Sequence, residues 1–233
     1  MSESLTGIFG KIPAHGDFIE RNLPRSFITP WDEWLQRGVA SSKELLADQW
    51  LETYLTSPIW RFALTSGTLD SSAWAGILVP SVDSVGRYFP VTIARQIPVQ
   101  SNLFNFLSGN DAWFQALTDS ALGALQTPFS ADQLLESLAG AARQDLFVGA
   151  TASTGEFSQK AVVGYFQEDI HQSYSHMLHN QWLSISPSYS VWSCAGSQRM
   201  PPTSFAAAGL PTGKQYAALL DGNWPMWGGD GLT

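Results

Sequence analysis

The chain has 233 residues, enough for a sizeable buried core, and 44% of them are apolar. Only 14% are charged, and twelve basic against twenty acidic residues leave a net charge of -8. That balance repels phosphate backbones and anionic lipid surfaces, so neither nucleic-acid binding nor membrane attraction is expected.

No internal repeat, low-complexity linker or composition shift interrupts residues 1–233, which read as one domain. Residues 6–12 read as a strand that ends in a loop over 13–17. A helix start follows: Thr29 is placed to cap, Pro30 takes the first helical position, and Asp32 and Glu33 suit the positive end of the dipole. Trp31, Trp34, Leu35 and Val39 then share one face at helical spacing. Residues 44–55 read as a further helix, stopped near Pro58. The period then changes. Trp60, Phe62 and Leu64 alternate with Ile59, Arg61 and Ala63, as in a half-buried strand. Residues 74–80 and 89–95 read as two more strands. Their connections are too short for crossover helices, so these neighbours are expected to be antiparallel.

Residues 111–125 form an expected helix with Trp113, Phe114, Leu117 and Ala121 as its apolar stripe. Residues 130–139 form another, with Ser130 and Gln133 spaced as a capping box and Gly140 at the exit. Strands are expected over 160–166 and 189–194, with a helix over 168–182 between them. A short helix over 214–220 precedes the Trp/Gly-rich segment 224–229. The fold class that follows is α/β: a three-layer α/β/α sandwich with a largely antiparallel central sheet.

Chemistry-bearing motifs are sparse. Gly7, Gly10 and Lys11 lack the spacing of a phosphate-binding loop, and Ile12 stands where a hydroxyl residue is needed. His15 and Asp17 share a loop, as a base and its orienter or two metal ligands would, but no local His or Cys completes a zinc set. A hydrogen-bonded turn that fixes the loop is the plainer reading. His171, His176 and His179 span an arc of about 140° on a helix, again without completing ligands. Cys194 lies in an apolar strand and reads as a small buried hydrophobe. The segment from Pro80 to Pro90 links two strands. Asp83 and Arg87 are expected to pair across its turn, and Gly86 to take a positive φ. No catalytic set, metal site or cofactor is expected. A lone cysteine fits a reducing compartment. No run approaches the roughly 18 apolar residues of a membrane span. Met1 to Gly10 lacks a signal-peptide pattern, so a cytoplasmic location without membrane insertion is expected.

The run from Gly7 to Phe18 (GIFGKIPAHGDF) resembles the opening signature of the TagF family, accessory proteins of bacterial type VI secretion systems. Arg21-Asn22-Leu23-Pro24, Phe27, the run from Pro30 to Gln36, Trp60-Arg61-Phe62 and the stretch from Trp74 to Pro90 continue the likeness over roughly the first 95 residues. Trp182 and the strand with Tyr189 and Trp192 are similar to the family's weaker second half. The resemblance implies a cytosolic three-layer α/β/α protein that represses assembly of the secretion apparatus after translation. It also implies a partner, a scaffold protein with a forkhead-associated domain. Some members carry a fused serine/threonine phosphatase, and residues 1–233 are accounted for without one. Candidate partner-binding residues are Lys11, His15, Asp17, Arg21, Asp83 and Arg87. Two other readings stay open: a small metal-dependent hydrolase using His15 and Asp17, and a sensor that binds a small ligand in an aromatic pocket. The oligomeric state is left open.

Overall fold

Alternating apolar residues in the middle of the chain resolve into a seven-stranded sheet in a computed structural model, which describes residues 6–127, 129–142, 146–147 and 170–227. The strands are β1 (Gly7–Gly10), β2 (Ile19–Arg21), β3 (Trp60–Leu64), β4 (Ala73–Val79), β5 (Val91–Ile97), β6 (Tyr189–Cys194) and β7 (Thr203–Ala208). Their order is β2-β1-β5-β4-β3-β6-β7. Every described pair is antiparallel, as the short connections require. The helices are α1 (Arg25–Leu46), α2 (Trp50–Leu55), α3 (Leu103–Gly109), α4 (Asp111–Gln126), α5 (Ala131–Ala142), α6 (Ile170–Ile185), α7 (Gly213–Asp221) and α8 (Trp224–Trp227).

Both faces of the sheet are covered, which makes the α/β/α sandwich. On one face Trp60, Phe62, Leu64, Trp74 and Trp192 meet Trp31, Trp34 and Leu35 of α1 and Tyr216 of α7. On the other Ala63, Ala75, Ile77, Ile93 and Val191 meet Phe106 of α3, Phe114 and Leu117 of α4 and Leu134 of α5. Successive residues of a strand point to opposite faces. The alternation in β3 therefore reflects two buried faces of different bulk, not one buried and one wet.

Several boundaries differ from expectation for local reasons. α1 starts at Arg25, a turn before Thr29, because the Pro24 carbonyl accepts from the amides of Phe27 and Ile28, both at 3.0 Å. Pro30 therefore lies in the second turn rather than at the first position. The helix expected over 44–55 is split. Ala47 takes φ 44 and ends α1, and a single 3-10 turn, Ala47–Gln49, leads into α2. Ser130 and Gln133 do form a reciprocal cap, with Ser130 N to Gln133 Oε1 at 2.8 Å and Gln133 N to Ser130 Oγ at 3.2 Å. α5 nevertheless continues through Gly140 to Ala142. Segments β2, α3 and β7 had no expectation. The Asn102 side chain caps α3 by accepting from Phe104 N and Asn105 N. β7, Thr-Ser-Phe-Ala-Ala-Ala, has little strand preference of its own and is held by pairing with β6. The strand expected over 160–166 lies outside the described residues, and the helix expected over 168–182 corresponds to α6.

The tryptophans supply both bulk and hydrogen bonds. Trp31 packs 4.7 Å from Trp34 and 4.8 Å from Phe62, and Trp34 lies 5.5 Å from both Trp192 and Tyr216, centroid to centroid. Burying an indole costs free energy unless its N–H finds an acceptor. Trp31 donates to Thr92 Oγ1 at 2.8 Å, Trp34 to the Pro211 carbonyl at 2.7 Å and Trp60 to the Leu219 carbonyl at 2.9 Å. Trp192 donates to Ser190 Oγ at 2.9 Å. Thr92 and Ser190 are the polar residues this face imports, and they serve those indoles. Thr92→Val keeps the shape but leaves the Trp31 N–H unpaired. It should lower stability by about 1–3 kcal/mol in urea unfolding. An unchanged midpoint would show that the bond contributes nothing.

Candidate functional site

The sheet topology brings the chain's densest polar motifs together. β1 pairs with β5 through Gly10 and Val91, and β4 pairs with β5 through Val79 and Val91. The loops that leave β1 and β4 therefore emerge side by side at one end of the sheet. Gly10 makes the turn, at φ +129, with the Pro90 carbonyl oxygen 2.1 Å from where a Cβ would stand. Any other residue would clash there, so the close approach requires glycine. The next residue, Lys11, accepts from Ser81 Oγ on its carbonyl at 2.6 Å, and the His15 carbonyl accepts from Ser84 N at 3.0 Å. Tyr54 of α2 fixes the second loop from below. Its hydroxyl donates to the Ser81 carbonyl and accepts from Ser81 N, both at 2.9 Å, and burial pushes its phenol up.

Asp83 is the centre of this arrangement. Its side chain is closed to solvent and accepts four hydrogen bonds. Oδ2 takes Lys11 Nζ at 2.7 Å and Arg87 Nε at 2.6 Å; Oδ1 takes the amides of Arg87 at 2.8 Å and Val85 at 3.1 Å. Burial by itself raises the carboxyl's pKa. The Lys11 ammonium, the Arg87 amide and guanidinium and the Val85 amide outweigh it and hold the group below the usual carboxylate range. The pairing of Asp83 with Arg87 and the positive φ of Gly86, +85, are as the turn chemistry requires.

Arg87 carries the clasp across to the first loop, where it donates to the Gly16 carbonyl and lies 3.8 Å from Asp17 Oδ1. The Lys11 ammonium sits 5.0 Å from the centre of the Phe18 ring. Phe18 packs on Phe89 at 4.9 Å and Phe9 at 5.8 Å, yet remains 44% exposed. Val85, at the tip of the second loop, is 68% exposed. The outer surface of the clasp thus presents Asp17, Phe18, Val85 and Arg87.

Of the six candidate residues, Lys11, Asp83 and Arg87 come together, with Asp17 at their margin. His15 and Arg21 turn toward α5 instead. His15 Nε2 accepts from Ala131 N, in the first turn of that helix, at 3.1 Å. Accepting there requires a bare Nε2, so the ring hydrogen of the neutral form is on Nδ1. Arg21 Nε reaches Asp132 Oδ1 of the same turn at 3.3 Å. His15 and Asp17 thus engage different partners rather than each other. On α6, His179 Nδ1 is 2.5 Å from the Tyr189 hydroxyl, and His176 Nε2 is 3.0 Å from Asn180 Nδ2. Burial lowers the pKa of both. Cys194 is buried, 3.9 Å from Met200 Sδ, and burial pushes its thiol up. Among the described residues no group of three or more His, Cys, Asp or Glu is placed to hold a metal ion, and no helix is long and apolar enough to cross a membrane. Sequence reasoning missed Tyr54, which no local pattern singles out, and Phe18 and Val85, whose exposure no pattern marks.

The family model of the TagF N-terminal domain, described as type VI secretion system-associated, matches residues 7–141. The chain belongs to the TagF family. The TagF match takes in both loops of the clasp and the first turn of α5, where His15 and Arg21 make their contacts, so the whole site lies within it. A solved structure, that of PA0076 from Pseudomonas aeruginosa PAO1, is similar along nearly its full length. It is 28% identical, covers 98% of this TagF chain and 97% of its own, and has a TM-score of 0.80. No match is found among curated proteins.

The clasp gives this TagF chain a pH signature. A carboxyl whose folded pKa lies below its unfolded value, about 3.9, contributes stability above that value and loses it as pH falls toward the folded pKa. Asp83→Asn should therefore unfold at lower urea than wild type at pH 7, and the gap should narrow as pH drops below about 4. A gap that stays constant across that range would mean the carboxylate's charge does not hold the loops.

Proposed function

We propose that this chain is a cytoplasmic negative regulator of type VI secretion, acting after translation by binding a scaffold protein with a forkhead-associated domain. Membership in a type VI secretion-associated family is the observation that carries the proposal. The site's architecture supports a binding role. The buried Asp83 carboxylate ties two loops into one stiff unit, so the exposed side chains above it pay little ordering entropy when a partner arrives. An aromatic ring, an aliphatic tip and an arginine with a neighbouring carboxylate make the mixture that anchors protein interfaces. In this reading Asp17, Phe18, Val85 and Arg87 touch the partner. Lys11 and Asp83 hold them in place, and His15 and Arg21 fix the first loop to α5.

The test separates contact from frame. Asp17→Ala combined with Val85→Ser removes exposed groups without touching the Asp83 bonds, so thermal stability should stay near wild type. If the pair acts as an interface hot spot worth about 2 kcal/mol, affinity for the purified scaffold should fall at least tenfold. Secretion in cells carrying the variant should rise. Wild-type protein that fails to bind the scaffold at micromolar concentration would overturn the reading. A double variant that binds as well as wild type would move the contact away from these loops.

A further inference from the structure

The two edges of the sheet are built differently. β2 is three residues long, carries Glu20 and Arg21, and ends at Asn22, which turns the chain with φ 59. Short length, charge and a turn are the usual defences of a strand edge. β7 is six residues long and carries no charge, and only Gly209, at φ 64, turns the chain at its end. Residues 200–212, from Met200 to Thr212, contain no charged side chain in a chain of net charge -8. Among the described residues no strand pairs with the outer side of β7.

The register with β6 decides which backbone groups face outward. Gly209 N donates to the Ser188 carbonyl at 3.0 Å, and Tyr189 stands opposite Ala208. Hydrogen-bonded and open pairs alternate in an antiparallel ladder. Thr203, Phe205 and Ala207 therefore bond to β6, while Ser204, Ala206 and Ala208 turn their N–H and C=O groups away from the sheet.

We propose that β7 is a dimerisation edge: two copies of this chain pair their β7 strands antiparallel about a twofold axis at Ala206, joining two sheets into one. A second copy fits this edge on three counts. First, the outward groups are self-complementary about Ala206. Ser204 meets the other copy's Ala208, Ala206 meets Ala206, and each pair exchanges two hydrogen bonds. The side chains of these pairs are small and neutral, and Phe205 falls opposite the other copy's Ala207, so the axis brings together no two bulky groups and no like charges. A chain with a strong net negative charge associates with itself most readily where charge is absent. Second, Pro201-Pro202 and Pro211 bracket the strand and confine pairing to it. The outer edges of the joined sheet are then the defended β2 strands, so assembly closes at two. Third, α8, which touches β7 through Trp224 and Phe205, carries an exposed apolar group that widens the contact. Met226 belongs to α8, whose Trp224 lies 4.5 Å from Phe205. This inference is independent of the scaffold reading.

Light scattering coupled to size exclusion, run over a range of micromolar concentrations, gives the mass directly. Wild type should have twice the chain mass. Ala206→Pro removes an outward donor that β6 does not use, so it should halve the mass while leaving the circular dichroism spectrum intact. A second pair of variants tests the register without proline. Ser204→Glu with Ala208→Glu places like charges opposite each other across the axis and should give monomer. Ser204→Lys with Ala208→Glu places opposite charges there and should keep the dimer. A wild type that is monomeric throughout overturns the proposal. So does a dimer that survives both Ala206→Pro and the double-glutamate variant.

Discussion

A sheet covered on both faces gives its central strands no water to turn to. β3, β4 and β5 bury nearly every side chain, so most polar atoms that they or their covering helices carry inward are met from within, the Trp113 indole N–H of α4 and the Asn105 amide of α3 being exceptions. The rest of the architecture follows from that constraint. It sets the use of tryptophan, where one large ring fills the gap between helix and sheet and its single N–H needs a single acceptor. It also explains a threonine and a serine at otherwise apolar positions, Thr92 and Ser190, and the reach of Trp34 and Trp60 to backbone carbonyls near and within α7.

The same constraint shapes the candidate site. A carboxylate taken out of water is tolerated only when its lone pairs are filled. Asp83 fills them with two cations and two amides drawn from both loops. Order in the loops is thus a consequence of satisfying one buried charge. The site is organised around a group that no partner can touch, and the residues available for contact are its neighbours. A sequence motif can therefore be dense in charged residues while only part of it faces outward.

The parts of the fold legible in the sequence are those where one local rule dominates. The stripe Trp113, Phe114, Leu117 and Ala121, the Ser130/Gln133 cap and the alternation around Phe62 each survive in the structure. The start of α1 misled because Thr29-Pro30 is a fair helix opening by itself. The Pro24 carbonyl offers an earlier one, and the aromatic face from Phe27 onward is buried by being helical. β7 was invisible because its alanines prefer a helix and only its neighbour makes them a strand. In the site, Asp83 with Arg87 was legible as a turn four residues apart. The bond from Lys11 to Asp83 spans 72 positions and depends on β1 and β4 both flanking β5, which no local pattern reveals. His15 reads in the sequence as part of a hydrogen-bonded turn that fixes its own loop, whereas its ring accepts from the first turn of a helix more than a hundred residues away.

The sheet order also sets a schedule for synthesis. β3 sits between β4, which follows it almost at once, and β6, which begins more than a hundred residues later. Trp31 and Trp34 wait for Trp192, and Trp34 waits further for Tyr216. At ordinary elongation speeds that interval is on the order of ten seconds. Throughout it the nascent chain shows the ribosome exit and its attendant chaperones an open strand edge flanked by uncovered indoles. The late segments are what close the aromatic face that the early ones create.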